Sequence, residues 1–119
     1  MEKRVAGIQN LTRGQKLAER VRLCRGFWSR LVGLIGTSKL SDGEACWLEP
    51  CNSIHTMGMN YAIDAYFLNR NQQVVQVLKN LKPNRFSPIV SRAVSVLEFA
   101  SNHSRDCEIG DQLQLVFVP

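Results

Sequence analysis

The stretch AIDAYFLNRNQQVVQVLK, residues 62–79, constrains the chain most. Two runs rich in β-branched and aromatic residues flank a short turn, NRNQ, and asparagine tolerates the left-handed backbone that tight turns require. The pair reads as an antiparallel hairpin. Its first run is apolar almost throughout, which predicts a strand covered on both faces. One residue breaks that pattern. Asp64 sits among Ile63, Tyr66, Phe67 and Leu68, and an ionised carboxylate buried without partners costs several kcal/mol. It must be paired, hydrogen-bonded or protonated.

The rest of the chain continues in short pieces. Val21 and Leu23 alternate with Arg20, Arg22 and Arg25, the period of a half-exposed strand. In FWSRLVGLIG the period changes: Phe27, Leu31, Leu34 and Ile35 fall on one helical face, with Gly36 as a stop. After an LSDG turn, EACWLEP reads as a strand that Pro50 ends. NLKPNRFSPIVSR has two prolines and no period, so it reads as a long loop. AVSVLEFA returns as a strand, SNHSRD as one helical turn capped by Ser101, and EIGDQLQLVFV as a last strand entered through a Gly-Asp turn. Residues 1–14 show no periodicity and read as a flexible lead-in to one domain over 15–119. The sum is an α+β, mostly β fold of five or six strands. It predicts a small, partly closed antiparallel β-barrel or sandwich with one short packed helix.

The 119 residues suffice for one core without staples, and 45% hydrophobic with 21% charged residues is ordinary for a soluble domain. No apolar run reaches the roughly 18–20 residues that span a bilayer. MEKRVAGIQNLTRGQK has no apolar core of a secretory signal. A cytoplasmic location is therefore expected, with Cys24, Cys46, Cys51 and Cys107 reduced. Charge is uneven. Residues 1–30 hold Lys3, Arg4, Arg13, Lys16, Arg20, Arg22, Arg25 and Arg30 against Glu2 and Glu19, more than the +5 of the whole chain. Such a basic third attracts nucleic acid in some proteins. Aromatic residues for base stacking are not interleaved with these charges, so a solvated surface is the simpler expectation.

FWSRLVGLIG, PCNSIHTMGM, IDAYFLN, VVQVLKNLKP, AVSVLEFA and IGDQLQL, in this order and spacing from Leu23 to Leu115, resemble the short bacterial members of the uncharacterised family called domain of unknown function 192. The resemblance implies a compact β-rich fold with one helix alongside, and no activity. Its motif positions fall here on His55, Met59, Asp64, Glu98, Gly110 and Asp111.

Glu98, in VSVLEFA, repeats the problem of Asp64. Two acids on neighbouring buried strands suit general acid–base work or a cation. They also suit plain anchoring, by backbone N–H groups or by an arginine such as Arg85 or Arg92. Cys46, Cys51 and His55 form a C-x4-C-x3-H array, and His103 and Cys107 an H-x3-C array. These are zinc-type ligands, but they lack the C-x2-C knuckle. A Cys51–His55 nucleophile pair has no basic neighbour in sequence to activate the thiol. No nucleophile elbow, dinucleotide turn, P-loop or HExxH occurs. No catalytic residue, metal or cofactor is therefore expected.

What remains of NSIHTMGMN is a mixture of donors, acceptors and adaptable methionine surface. It predicts either a pocket or a plug over one end of the barrel, with the loop KPNRFSP as a rim. The expected function is a non-catalytic module that binds a small molecule or protein at a site formed by His55, Met59, Asp64 and Glu98. One alternative is an enzyme or metal protein using Cys51, His55 and a carboxylate. Another is nucleic-acid binding through the basic N-terminal third.

Overall fold

The expected hairpin forms as β5 (Ile63–Leu68) and β6 (Val74–Leu81). The structure is a computed structural model that describes residues 4–25 and 40–118. Asn69 organises the hairpin turn through its side chain, whose Oδ1 accepts the N–H groups of Asn71 at 2.9 Å and Gln73 at 3.0 Å. The residue that takes the left-handed backbone is Gln72, with φ of 60°.

Three further strands complete a five-stranded sheet: β3 (Arg20–Arg25), β4 (Glu44–Glu49) and β7 (Ser95–Ala100). Its order is β3-β4-β7-β5-β6, with only β3 and β4 parallel. A second, antiparallel sheet has the order β2-β1-β8 and comprises β1 (Arg4–Asn10), β2 (Gln15–Ala18) and β8 (Leu113–Val118). The result is a compact, mostly β sandwich of two sheets and not a closed barrel. The described residues contain no helix, and none therefore that is long and apolar enough to cross a membrane. The helix expected over residues 27–36 lies outside the described residues.

Three local expectations are corrected. The flexible lead-in over residues 1–14 gives way to β1, which pairs with both β2 and β8. Its sequence looks aperiodic because the register shifts between Val5 and Gly7 and between Ile8 and Gln9, which breaks the alternation that betrays a strand. Gly7 is needed there: a Cβ would lie 2.6 Å from the Ala18 carbonyl oxygen. The helical turn expected at SNHSRD is an irregular turn, because the Ser101 hydroxyl is drawn to Asp64 and is not free to cap. The long loop begins only at Lys82, since β6 continues through Asn80 and Leu81.

Side-chain alternation along β5 and β7 divides the interior into two layers. Tyr66, Leu68, Leu97 and Phe99 point between the sheets and meet Trp47, Ile8, Leu17, Leu113 and Leu115. Ile63, Ala65, Phe67, Val96 and Ala100 point to the outer face. There Cys51, Ile54, Met59 and Tyr61 of the β4–β5 crossover, together with Ala93, cover them. All six residues of β5 and of β7 are buried as a result. Tyr66 and Phe99 meet edge to face, 5.8 Å apart. Burying each large apolar side chain contributes about 1.5–3 kcal/mol. That offsets the buried indole Nε1 of Trp47, which has no hydrogen-bond partner and costs about 1–3 kcal/mol.

The two sheets are tied together at Asp111, 4% exposed. Its Oδ2 accepts the Asn10 Nδ2–H at 2.8 Å, the Arg13 Nε–H at 2.6 Å and the Glu108 N–H at 3.0 Å. Its carbonyl accepts the Val74 N–H at 2.9 Å, and the Gly110 N–H donates to the Val74 carbonyl. One residue thus joins β1, the β1–β2 turn and the entry to β8 with the start of β6. Burial pushes the Asp111 carboxyl up, but the hydrogen bonds from Asn10 and Arg13 outweigh it and hold the group below its ordinary value. A depressed carboxyl stabilises the fold fully above its unfolded pKa of about 4 and loses that contribution as pH falls through the lower folded value. Asp111→Asn is expected to cost about 2 kcal/mol in a denaturant melt at neutral pH. The loss of stability expected of the parent below about pH 4 should shrink in the variant.

Cys107 lies in the layer between the sheets, where burial pushes its thiol up to about 12. It is expected to resist alkylation at pH 8 in the folded protein and to react at an ordinary rate once unfolded, as mass-resolved labelling in urea would read out.

Candidate functional site

Asp64, the second residue of β5, points between the sheets, on the same side as Tyr66 and Leu68. It is 3% exposed. Its Oδ1 accepts the Asn80 N–H at 2.7 Å and the Ser101 hydroxyl at 3.0 Å. Its Oδ2 accepts the Ser104 hydroxyl and lies 3.6 Å from Lys79 Nζ. The left-handed backbone at Asn80, φ 54°, belongs to the same short stretch as the Lys79 ammonium. Lys79 in turn donates to the Tyr66 hydroxyl at 2.8 Å and to Ser104 at 3.1 Å. The partners of this acid are a backbone amide, two serines and a lysine. Neither Arg85 nor Arg92, the expected candidates, is among them.

This constellation brings a serine hydroxyl to a lysine, as some nucleophilic sites do, yet the electrostatics run the wrong way. Burial alone pulls the Lys79 ammonium down, but its bond to Tyr66 and the charge of Asp64 outweigh that and hold it above its ordinary value. A lysine that keeps its proton cannot take one from Ser104. The cluster is a clasp.

Glu98 is 4% exposed and lies on the opposite face of the same sheet. The register makes this unambiguous. Asp64 pairs with Phe99 of the inner layer, whereas Glu98 pairs with Ala65 and Cys46 of the outer layer. The two acids therefore do not share a site. Across the outer face runs one row, Arg22, Cys46, Glu98, Ala65 and Leu78, one residue from each strand of the five. Tyr61 reaches the same neighbourhood. Its phenol accepts the Leu40 N–H at 3.5 Å and is pushed up foremost by burial, with Glu98 also raising it and Arg22 opposing. Proximity in the chain does not show Arg22 and Tyr61 as neighbours of Glu98: the parallel β3–β4 pairing places Arg22, and the crossover packed on the outer layer places Tyr61.

The crossover PCNSIHTMGMN is a plug. Cys51, Ile54 and Met59 are each 7–8% exposed and pack into the outer layer. The Cys51 thiol donates to the Ser53 carbonyl at 3.0 Å, and His55 Nδ1 accepts the Met57 N–H at 3.2 Å. Both groups of the supposed nucleophile pair are thus directed at backbone. No group of three His, Cys, Asp or Glu side chains among the described residues is placed to hold a metal ion. His103 approaches Asp42, at 3.9 Å.

The organiser of this end is Thr56, in sequence only one of several donors and acceptors in NSIHTMGMN. Thr56 is fully buried, and its hydroxyl donates to the Lys82 carbonyl at 2.5 Å and accepts the Arg85 N–H at 2.9 Å. Its backbone N–H donates to the Arg85 carbonyl and its carbonyl accepts the Asn84 N–H. Ser87 N–H to Ile54 O, Ile54 N–H to Ser87 Oγ and Val90 N–H to Asn52 O continue the seam. The crossover and the loop after β6 are stitched into one unit. From it project Phe86 and Ile89, 73% and 74% exposed, and Met57, with the His55 ring tilted against Phe86 at 6.0 Å. The only sequence signal for Thr56 was a small hydroxyl within a polar segment, which many surface loops share.

The charges also redistribute in space. Arg13 pairs with Glu108 and Asp111, Arg105 with Glu19, Arg22 with Glu44, and Arg20 donates to Ser41 and the Asp42 carbonyl. By contrast, residues 50–63 and 79–93 contain no acid at all. Among the described residues no carboxylate lies within ion-pair distance of Lys82, Arg85 or Arg92.

Two solved structures share this fold. A protein of unknown function from Novosphingobium aromaticivorans DSM 12444 superposes with a TM-score of 0.77 at 18% identity, over 92% of this chain and 84% of that one. A putative transcription regulator from Sinorhizobium meliloti 1021 gives a TM-score of 0.71 at 18% identity, over 95% and 92%. No curated protein matches the sequence. Residues 8–115 match DUF192, described as an uncharacterised ACR, and the chain belongs to that family.

Proposed function

We propose that the chain is a non-catalytic binding module whose working surface is the stitched loop pair at the His55 end. The observation that carries this reading is the exposure of Phe86 and Ile89 on a loop that is itself held firmly. A slack loop shows apolar side chains by accident. A loop pinned to Thr56, Ile54 and Asn52 by backbone hydrogen bonds has no such excuse. The backbone that carries these side chains is already fixed, so binding through them costs less ordering of the loop.

Of the four residues expected to form a ligand site, His55 belongs to this surface through its contact with Phe86. Met59 fills the outer layer beneath it, Asp64 ties β5 to Asn80 of β6 from the inner layer, and Glu98 is buried on the outer face. An enzymatic reading draws no support from a protonated Lys79 and a thiol bonded to backbone. Nucleic-acid binding through the N-terminal third draws none from Arg13 and Arg22, which already face acids of the chain.

Small aromatic and acidic fragments collect at interaction surfaces, where a few anchors dominate the energy. Titration of isotope-labelled protein with such fragments is expected to shift the amides of residues 52–59 and 82–92. Phe86→Ser combined with Ile89→Ser should abolish those shifts while leaving the melting temperature unchanged. Fragments clustering around Ser101 and Ser104, or nowhere, would overturn the reading. Asp64→Asn provides the contrast. It should lose about 2 kcal/mol of stability, by breaking the clasp, yet keep the fragment shifts.

A further inference from the structure

The partner of this end can be named by its chemistry. Resting on the reading above, we infer that the loop pair docks on an anionic lipid surface, with Phe86 and Ile89 entering the interface and Lys82, Arg85 and Arg92 facing lipid headgroups.

Shape is the first argument. Phe86 and Ile89 are about three-quarters exposed, so they stand out from the loop as projections and do not line a groove. Met57, 40% exposed, lies on the adjoining crossover. A protein partner must carry a pocket fitted to such projections. The boundary of a bilayer accepts any convex apolar shape, and its gain scales with the apolar area that enters.

Charge is the second. The three cations lie on the same loop as the projections, and no carboxylate of the described residues neutralises them. The Arg85 guanidinium donates only weakly to the carbonyls of Pro83 and Asn84, so it remains available. Neither loop of the pair contains an acid that would be repelled by anionic headgroups. Arg13, Arg22 and Arg105 differ in this respect, because each has a carboxylate partner. Among the described residues this end therefore carries three cations on one loop with no carboxylate partner.

Rigidity is the third. Thr56 fixes the loop at Lys82, Asn84 and Arg85, and Ile54 and Asn52 fix it at Ser87 and Val90. Both kinds of anchor are thus presented together before contact is made.

Co-sedimentation of the full chain with phosphatidylcholine vesicles, with and without phosphatidylserine, tests the proposal. Binding is expected only to the serine-containing vesicles and should weaken as salt rises. Each basic residue near the surface is worth about fivefold, so Lys82→Gln, Arg85→Gln and Arg92→Gln together should weaken binding about a hundredfold. Phe86→Ser with Ile89→Ser should weaken it at least about tenfold. All five side chains are exposed, and both variants are expected to melt with the parent, which makes the two losses independent of folding. Absence of sedimentation overturns the proposal, as does binding that neither variant reduces. Inorganic phosphate that competes fully with the vesicles would also overturn it, by showing a soluble-anion site. A peptide of glutamate and leucine that binds where vesicles do not would assign the end to a protein. That last result, with fragment shifts intact, would refute the lipid and spare the binding surface. Loss of the fragment shifts would refute both.

Discussion

The central pair of strands, β5 and β7, is covered on both faces, and this condition governs everything built around it. A strand wrapped in this way has no solvent to receive a charge, so each acid it carries must find partners inside the molecule. Each strand carries one, and the alternation of side chains sends them to opposite layers. Asp64 recruits Asn80, Ser101, Ser104 and Lys79 and so locks the end of β6 to the turn after β7. Glu98 lies in the outer layer, in a row with Cys46 and Arg22 and in the electrostatic field that Tyr61 senses. The two buried acids that sequence places on neighbouring strands thus lie on two sides of one sheet.

Covering the outer face also dictates the form of the His55 end. The β4–β5 crossover spends Cys51, Ile54, Met59 and Tyr61 on the core, and its intervening polar residues are left to bind the neighbouring loop. Thr56 is the hinge of that arrangement: its side chain points inward, and its hydroxyl and backbone together serve three residues of the loop. Once the loop is fixed, the direction of Phe86 follows from its bridge with His55. An inward plug and an outward surface are thus two sides of one segment.

Much of the fold was legible because it depends on local pattern. The hairpin of β5 and β6, the burial of AIDAYFL, the strand in AVSVLEFA and the Gly-Asp entry to β8 all follow from periodicity and turn chemistry. β1 escaped because two register shifts erase its alternation. The candidate site was legible only in part. Asp64 and Glu98 were visible as buried acids, but which face each takes depends on a strand register, and register is a property of pairs of strands. Lys79 was hidden for the same reason: it sits at the polar end of β6 and meets Asp64 only because that hairpin closes. Likewise the positive excess of the first thirty residues said little about the surface, since Glu44, Glu108 and Asp111 come from later in the chain to meet Arg22 and Arg13.

The pairing of β5 with β6 slips twice, between Ile63 and Ala65 and between Phe67 and Leu68. Among the described residues β6 borders its sheet with no further strand beyond it, and Val74 at its start is already occupied by Gly110 and Asp111. A rim bent in two places and blocked at one end offers no straight run of free amides to another chain. Copies of this protein crowded together therefore find no template along that margin for growing a shared sheet into a fibre.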